Sequence, residues 1–139
     1  MLHLEFHRDT LTDTAGSTLA LLQDIAAARD TGAMPVRTYW QPRPGIAPAA
    51  ALAELRRLAG RFDAVHVFSW DAEAARLPLA AHRDDWLERL RAMAASGAPA
   101  IDLLLEFVAG DNAGQLLRDA RELRSWRDTL REGEGAGRG

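Results

Sequence analysis

Four times along this 139-residue chain a short run of β-forming residues is followed by an amphipathic helical stripe. The spacing is about thirty residues, typical of parallel-sheet α/β proteins. No other feature of the sequence restricts the fold so far.

The first unit opens on Leu2-His3-Leu4-Glu5-Phe6-His7, which alternates strictly. Leu2, Leu4 and Phe6 share one face and His3, Glu5 and His7 the other, the period of a strand. A polar loop over 8–14 leads to a helical stripe over 17–29 (Leu19, Leu22, Ile25, Ala26), ended near Gly32. The second unit carries Val36-Arg37-Thr38-Tyr39-Trp40-Gln41, and Pro42-Arg43-Pro44-Gly45 forces the chain out of the strand. Pro48 suits the first turn of a helix over 49–59, closed by Gly60. In the third unit Val65-His66-Val67-Phe68 runs out to Trp70, and Arg76-Leu77-Pro78-Leu79 leads into a helix over 83–95. Its buried face is Trp86, Leu87, Leu90 and Met93. After Gly97 and Pro99, Ile101-Asp102-Leu103-Leu104-Leu105-Glu106-Phe107-Val108 is almost unbroken apolar sequence, expected of a parallel strand covered on both faces. Asp111-Asn112 can cap a last helix over 113–130. The expected fold is therefore four βα units with a parallel sheet. Strands fall near 2–7, 35–41, 63–69 and 101–107 in one domain (1–131), with a glycine-rich disordered tail over 132–139.

With 47% apolar residues the chain can build a core, and its net charge of -3 argues against nucleic acid as a partner. It has no cysteine, so disulfide and thiolate chemistry are excluded, which fits the cytoplasm. No run approaches a membrane span, and no signal peptide precedes the first strand. A nucleotide cofactor is not expected either: no G-x-G-x-x-G follows a strand, and there is no lysine-based phosphate cradle.

The loopward ends of the four strands offer Glu5 with His7, Gln41, His66, and Glu106. Two carboxylates, an imidazole and an amide oxygen make an octahedral set for Mn²⁺, Mg²⁺ or Co²⁺, with zinc also open. Each residue also has an ordinary structural role available, least so Glu106, whose carboxylate would be costly to bury unpaired among leucines.

These stretches resemble the xylose-isomerase-like TIM-barrel family of sugar and sugar-phosphate isomerases and epimerases. The likeness rests on Leu4-Glu5-Phe6-His7 with Thr10-Leu11-Thr12-Asp13-Thr14, Tyr39-Trp40-Gln41-Pro42, Val65-His66-Val67-Phe68 with Arg76-Leu77-Pro78-Leu79 and Trp86, and Leu105-Glu106-Phe107-Val108, in the family's order. It implies Glu5, Gln41, His66 and Glu106 as metal ligands, although Gln41 stands where many members have an aspartate. It also implies Arg76 as a substrate contact. Glu5 and Glu106 would move a proton next to a carbonyl, through an enediolate held on the metal. His7 falls near this set. Trp40 and Trp70 lie at strand ends, where an indole could stack on a sugar or simply pack. A zinc-dependent DNA-repair branch of the same superfamily fits less well, because four histidines and a net charge of -3 supply neither its ligands nor a basic face.

The chain matches only the C-terminal half of such a barrel, since a (βα)₈ barrel needs about 250 residues. Four strands of eight would leave two open edges, to be closed by a second copy or by a separate N-terminal half-barrel chain. The alternative function is a non-catalytic half-barrel remnant or assembly subunit. Trp86 and Trp126 are expected in the core. The arginines of the last two helices (Arg83, Arg89, Arg91, Arg118, Arg121, Arg124, Arg127) are expected on a solvated face. Asp9, Thr12 and Asp13 share the first βα loop.

Overall fold

The computed structural model describes residues 1–136 except 31, 33 and 99, with side chains described as far as Arg131. The four β-forming runs fold as β1 (Leu2–Leu4), β2 (Val36–Trp40), β3 (Phe62–Val67) and, beyond a ribbon of β4 (Ser69–Trp70) and β5 (Arg76–Leu77), β6 (Asp102–Leu105). β1, β2, β3 and β6 form one sheet in that order, every pairing parallel. Between them run α1 (Ala15–Ala28), α2 (Pro48–Arg57), α3 (Arg83–Ala95) and α4 (Ala113–Ala136), each packed on the next. Strands adjacent in sequence are adjacent in space, the arrangement of a half-barrel-like α/β fold.

Local chemistry sets the boundaries. The Thr14 hydroxyl accepts from the Ser17 amide at 3.1 Å and the Ser17 hydroxyl accepts from the Thr14 amide, a capping box that starts α1. Pro48 occupies the first turn of α2, where its missing N–H costs nothing. The Asn112 side chain accepts from the Gln115 amide at 3.0 Å and caps α4. Between β2 and β3 the register slips by one residue, so that Thr38 faces Phe62 but Tyr39 faces Ala64. Asp63 is the extra residue of this bulge. Phe62, Val65 and Val67 all reach the core, while His66 points to the other side of the sheet.

The core lies between sheet and helices. Trp40, Trp86 and Trp126 are all but fully buried there with Leu55, Leu58 and Phe62. Indoles of this size each bury about 150–250 Å². Trp86 also donates from Nε1 to the Phe68 carbonyl at 2.8 Å, tying α3 to the end of the third strand run. Asp119 of α4 is buried and accepts from the Leu79 amide at 3.0 Å and from Gln115 Nε2 at 2.7 Å.

Four expectations are corrected. The segment 69–77 is a ribbon, because Ser69 and Trp70 pair antiparallel with Leu77 and Arg76. β6 is an edge strand open on one face: Asp102 and Leu104 are exposed, and only Leu103 and Leu105 turn towards the core. Arg89 is no surface residue, since it is only 5% exposed on the Trp86 side of α3. Finally, α4 continues past 130 to Ala136, across the first part of the expected tail, while 137–139 and Pro99 lie outside the described residues. No helix among the described residues is long and apolar enough to cross a membrane.

Candidate functional site

In a parallel sheet every strand ends on the same rim. Residues at or just beyond the ends of β2, β3 and β6 therefore become neighbours. His66 Nδ1 lies 2.9 Å from Gln41 Oε1 and 2.9 Å from Glu106 Oε2. The Gln41 carbonyl oxygen accepts from this nitrogen. A single N–H serves one acceptor well, and Glu106 Oε2 is left buried without a hydrogen-bond partner. The His66 side chain keeps 12% of its exposure and that of Glu106 38%, so the imidazole is enclosed while the carboxylate reaches the open face.

An aromatic row on that face frames the three. Tyr39 stands between His3 and His66, with ring centres 5.3 Å and 4.9 Å away. Further down, His3 Nε2 lies 2.5 Å from Asp63 Oδ1, and Arg37 Nε is 3.4 Å from the other oxygen of the same carboxylate. The bulge aims Asp63 at both. Tyr39 was legible as a site residue, because it shares its strand face with Gln41. Asp63 was not, because alternation alone places it with Val65 and Val67.

Beyond Glu106 the rim becomes aromatic. Phe68, Trp70 and Phe107 pack on one another with centres 4.7–5.1 Å apart. The Arg76 guanidinium lies over Phe107 at 5.5 Å and pairs with Asp111. Arg76 and Trp70 are thus both neighbours of the residue that follows Glu106. Phe107 itself has φ of +51°, and Asp9, Ala74 and Asp111 are also left-handed. All four sit in connections that follow strands, Asp111 at the end of a 3-10 turn. For Phe107 and Ala74 that conformation costs about 1 kcal/mol or more, the kind of strain that collects at functional rims.

The remaining sequence-derived candidates lie elsewhere. Glu5 is exposed at the end of β1, two strands from β3, and strands are spaced about 4.8 Å apart. His7 is exposed, its Nδ1 donating to the Arg8 carbonyl at 2.8 Å. Trp40 is fully buried and meets Trp86 edge-on at 6.4 Å, so of its two possible roles it takes the packing one and presents no ring to a sugar. In the first loop the buried Thr12 donates to the Glu5 carbonyl, and Asp13 accepts from Ser17 at 3.0 Å.

Does this set suit a divalent cation? Among the described residues no three side chains of His, Cys, Asp and Glu meet. The Gln41 amide oxygen supplies the third donor instead. The two 2.9 Å separations are ordinary hydrogen-bond lengths, and a cation would take the place of the Nδ1 proton among these three atoms. The orphaned Glu106 Oε2 is the kind of oxygen a cation satisfies. Gln41, His66 and Glu106 offer atoms of the types a divalent cation takes; Glu5 is not among them.

No protein-family model, no curated protein and no solved structure matches this chain.

Proposed function

We propose that the chain is a sugar or sugar-phosphate isomerase- or epimerase-type protein, acting by proton transfer next to a carbonyl at the His66 rim. The observation that supports it is the convergence of Gln41, His66 and Glu106, with a buried carboxylate oxygen left unsatisfied. Gln41 Oε1, His66 Nδ1 and Glu106 Oε2 would hold a divalent cation, Mn²⁺, Mg²⁺ or Co²⁺ by their hardness, with zinc also suited to the imidazole. A cation held there supplies Lewis acidity towards a substrate carbonyl and charge neutralisation.

The protein's own groups do the rest. Glu106, half-open on the face of the sheet, removes the proton from the carbon beside the carbonyl. Glu5, on the rim of the far strand, is the second carboxylate and would return a proton where closure of the sheet brings it to the same substrate. Trp70 offers an indole against the sugar ring, and Arg76 holds an anionic or hydroxyl-bearing end. Tyr39 fixes the ring plane of His66. A cysteine-free composition fits the reducing cytoplasm.

One observation favours a second reading. The Glu5 side chain is exposed and apart from the other three, as in a non-catalytic half-barrel that keeps a metal-type cluster but not a two-carboxylate site. The sheet also has open edges at β1 and β6. Closure by a second copy, or by a separate N-terminal half-barrel chain, would set another wall opposite His66 and complete the site.

Proton NMR in D₂O separates the two readings. A panel of aldoses, ketoses and their monophosphates is incubated with the protein and Mn²⁺, and solvent deuterium is followed at the carbon beside the carbonyl. Exchange that falls at least about 100-fold in Glu106→Gln is expected of the enzyme. Exchange in no member of the panel leaves the remnant.

A further inference from the structure

Apart from the His66 rim, a cavity of about 220 Å³ opens between the loop after β2 and the start of α3. Arg43, Trp70, His82, Asp85, Trp86 and Arg89 contribute to its wall. Two of these carry buried donors with no acceptor: Arg89 Nε and Trp70 Nε1. Trp40 and Trp126 also have unpartnered indole nitrogens, but inside the core; Trp70 differs in lining the cavity.

Arg89 is the stronger signal. It is 5% exposed, and no carboxylate among the described residues lies within 4 Å of it. Its guanidinium rests on the Trp86 ring at 4.9 Å, a contact with one face that leaves the buried Nε–H without an acceptor. Two carboxylates, Asp71 and Asp85, also line the cavity, and neither pairs with Arg89. Glu54 is bound to Arg43 at 2.6 Å, and Asp71 accepts from the Glu73 and Ala75 amides at 3.0 Å and 2.7 Å. Burial lowers the Arg89 pKa, with Asp85 and Glu88 opposing it.

A guanidinium Nε–H and an indole N–H, both buried with nothing to donate to, call for a ligand that only accepts. The donors come from β4 and α3, with His82 at the turn before α3, and line one cavity from different elements. That arrangement suits a tetrahedral group better than a planar carboxylate. The volume lies below the roughly 300–1,000 Å³ of sites that take whole drug-sized molecules. We infer that this cavity is a binding site for a phosphate-type oxyanion, held by Arg89 and Trp70. Trp70 is shared with the aromatic end of the His66 rim, whereas Arg89 belongs to this cavity alone.

Calorimetry on the full chain with inorganic phosphate tests it, against sodium chloride of equal ionic strength. Saturable binding is expected. It should weaken at least about tenfold in Arg89→Met and several-fold in Trp70→Phe, with Arg89→Lys between them because it keeps the charge but loses the fork. A sugar monophosphate in a parallel arm distinguishes the sources: tighter binding than phosphate marks the phosphoryl end of a larger molecule, equal binding a free anion. Binding unchanged in Arg89→Met, or reproduced by chloride, overturns the proposal. Should circular dichroism show Arg89→Met unfolded, Arg89→Lys and Trp70→Phe decide, and wild-type binding in both overturns it.

Discussion

His66 Nδ1 and Glu106 Oε2 stand 2.9 Å apart across the pairing of β3 with β6, although forty residues of chain separate them. The parallel register brings this about: His66 faces Leu104 and Val67 faces Leu105, so the residue after β6 meets the rim of β3. Gln41 reaches the same nitrogen from the other side of β3. The consequences can be measured.

The three donors should bind a divalent metal as a unit. Calorimetric titration with Mn²⁺ or Co²⁺ should show one site per chain, weakened at least about tenfold in Glu106→Gln and in His66→Ala. Glu5→Gln should weaken it far less, because the Glu5 side chain lies outside the cluster. Equal binding by all four proteins, or by none, would remove the metal reading.

Asp119→Ala should destabilise the fold by about 1–3 kcal/mol in urea unfolding, because it leaves the buried Leu79 amide without an acceptor. Trp86→Phe should cost about 2–4 kcal/mol, combining lost volume with an orphaned Phe68 carbonyl. A loss below half a kcal/mol (about 0.5) for either would mean that the site relaxes around the change.

Burial holds the Arg89 pKa below the ordinary arginine value, with Asp85 and Glu88 opposing it. On raising pH the folded protein therefore loses this proton before the unfolded chain does. The unfolded state binds more protons only in that strongly alkaline window, so stability linked to Arg89 rises with pH there and is flat below it. Arg89→Met should lie within about 1 kcal/mol of wild type or above it, since it removes a buried charge without an ion pair. That difference should not change between about pH 5 and 9. A sloping difference over that range would show Arg89 coupled to another titrating group.

The open edges of β1 and β6 should be covered in solution. Sedimentation at micromolar concentration is expected to give a dimer or larger species. A cooperatively folded monomer of 15.2 kDa would count against closure by a second copy.

Much of this architecture was legible one residue at a time. The period of two over Leu2–Leu4 and the stripe of Trp86, Leu90 and Met93 are local signals. So are Thr14 and Asn112 as caps, and together they set the elements, their order and a parallel sheet. Because parallel strands share a rim, the positions of Gln41, His66 and Glu106 at strand ends were already enough to suggest their meeting. What the tertiary structure decided was which long-range partners each side chain finds. Glu5 has the same local setting as Glu106, yet strand order puts it at the far edge. Arg89 sits among acids like any surface arginine, but it shares a face with Trp86 and Met93 and is drawn inward by their packing. Asp63 depends on a one-residue slip between β2 and β3, and the Trp70 ribbon on a partner strand six residues away. Periodicity and capping act within a few residues and are written in residue type; register and packing depend on shapes meeting across the fold.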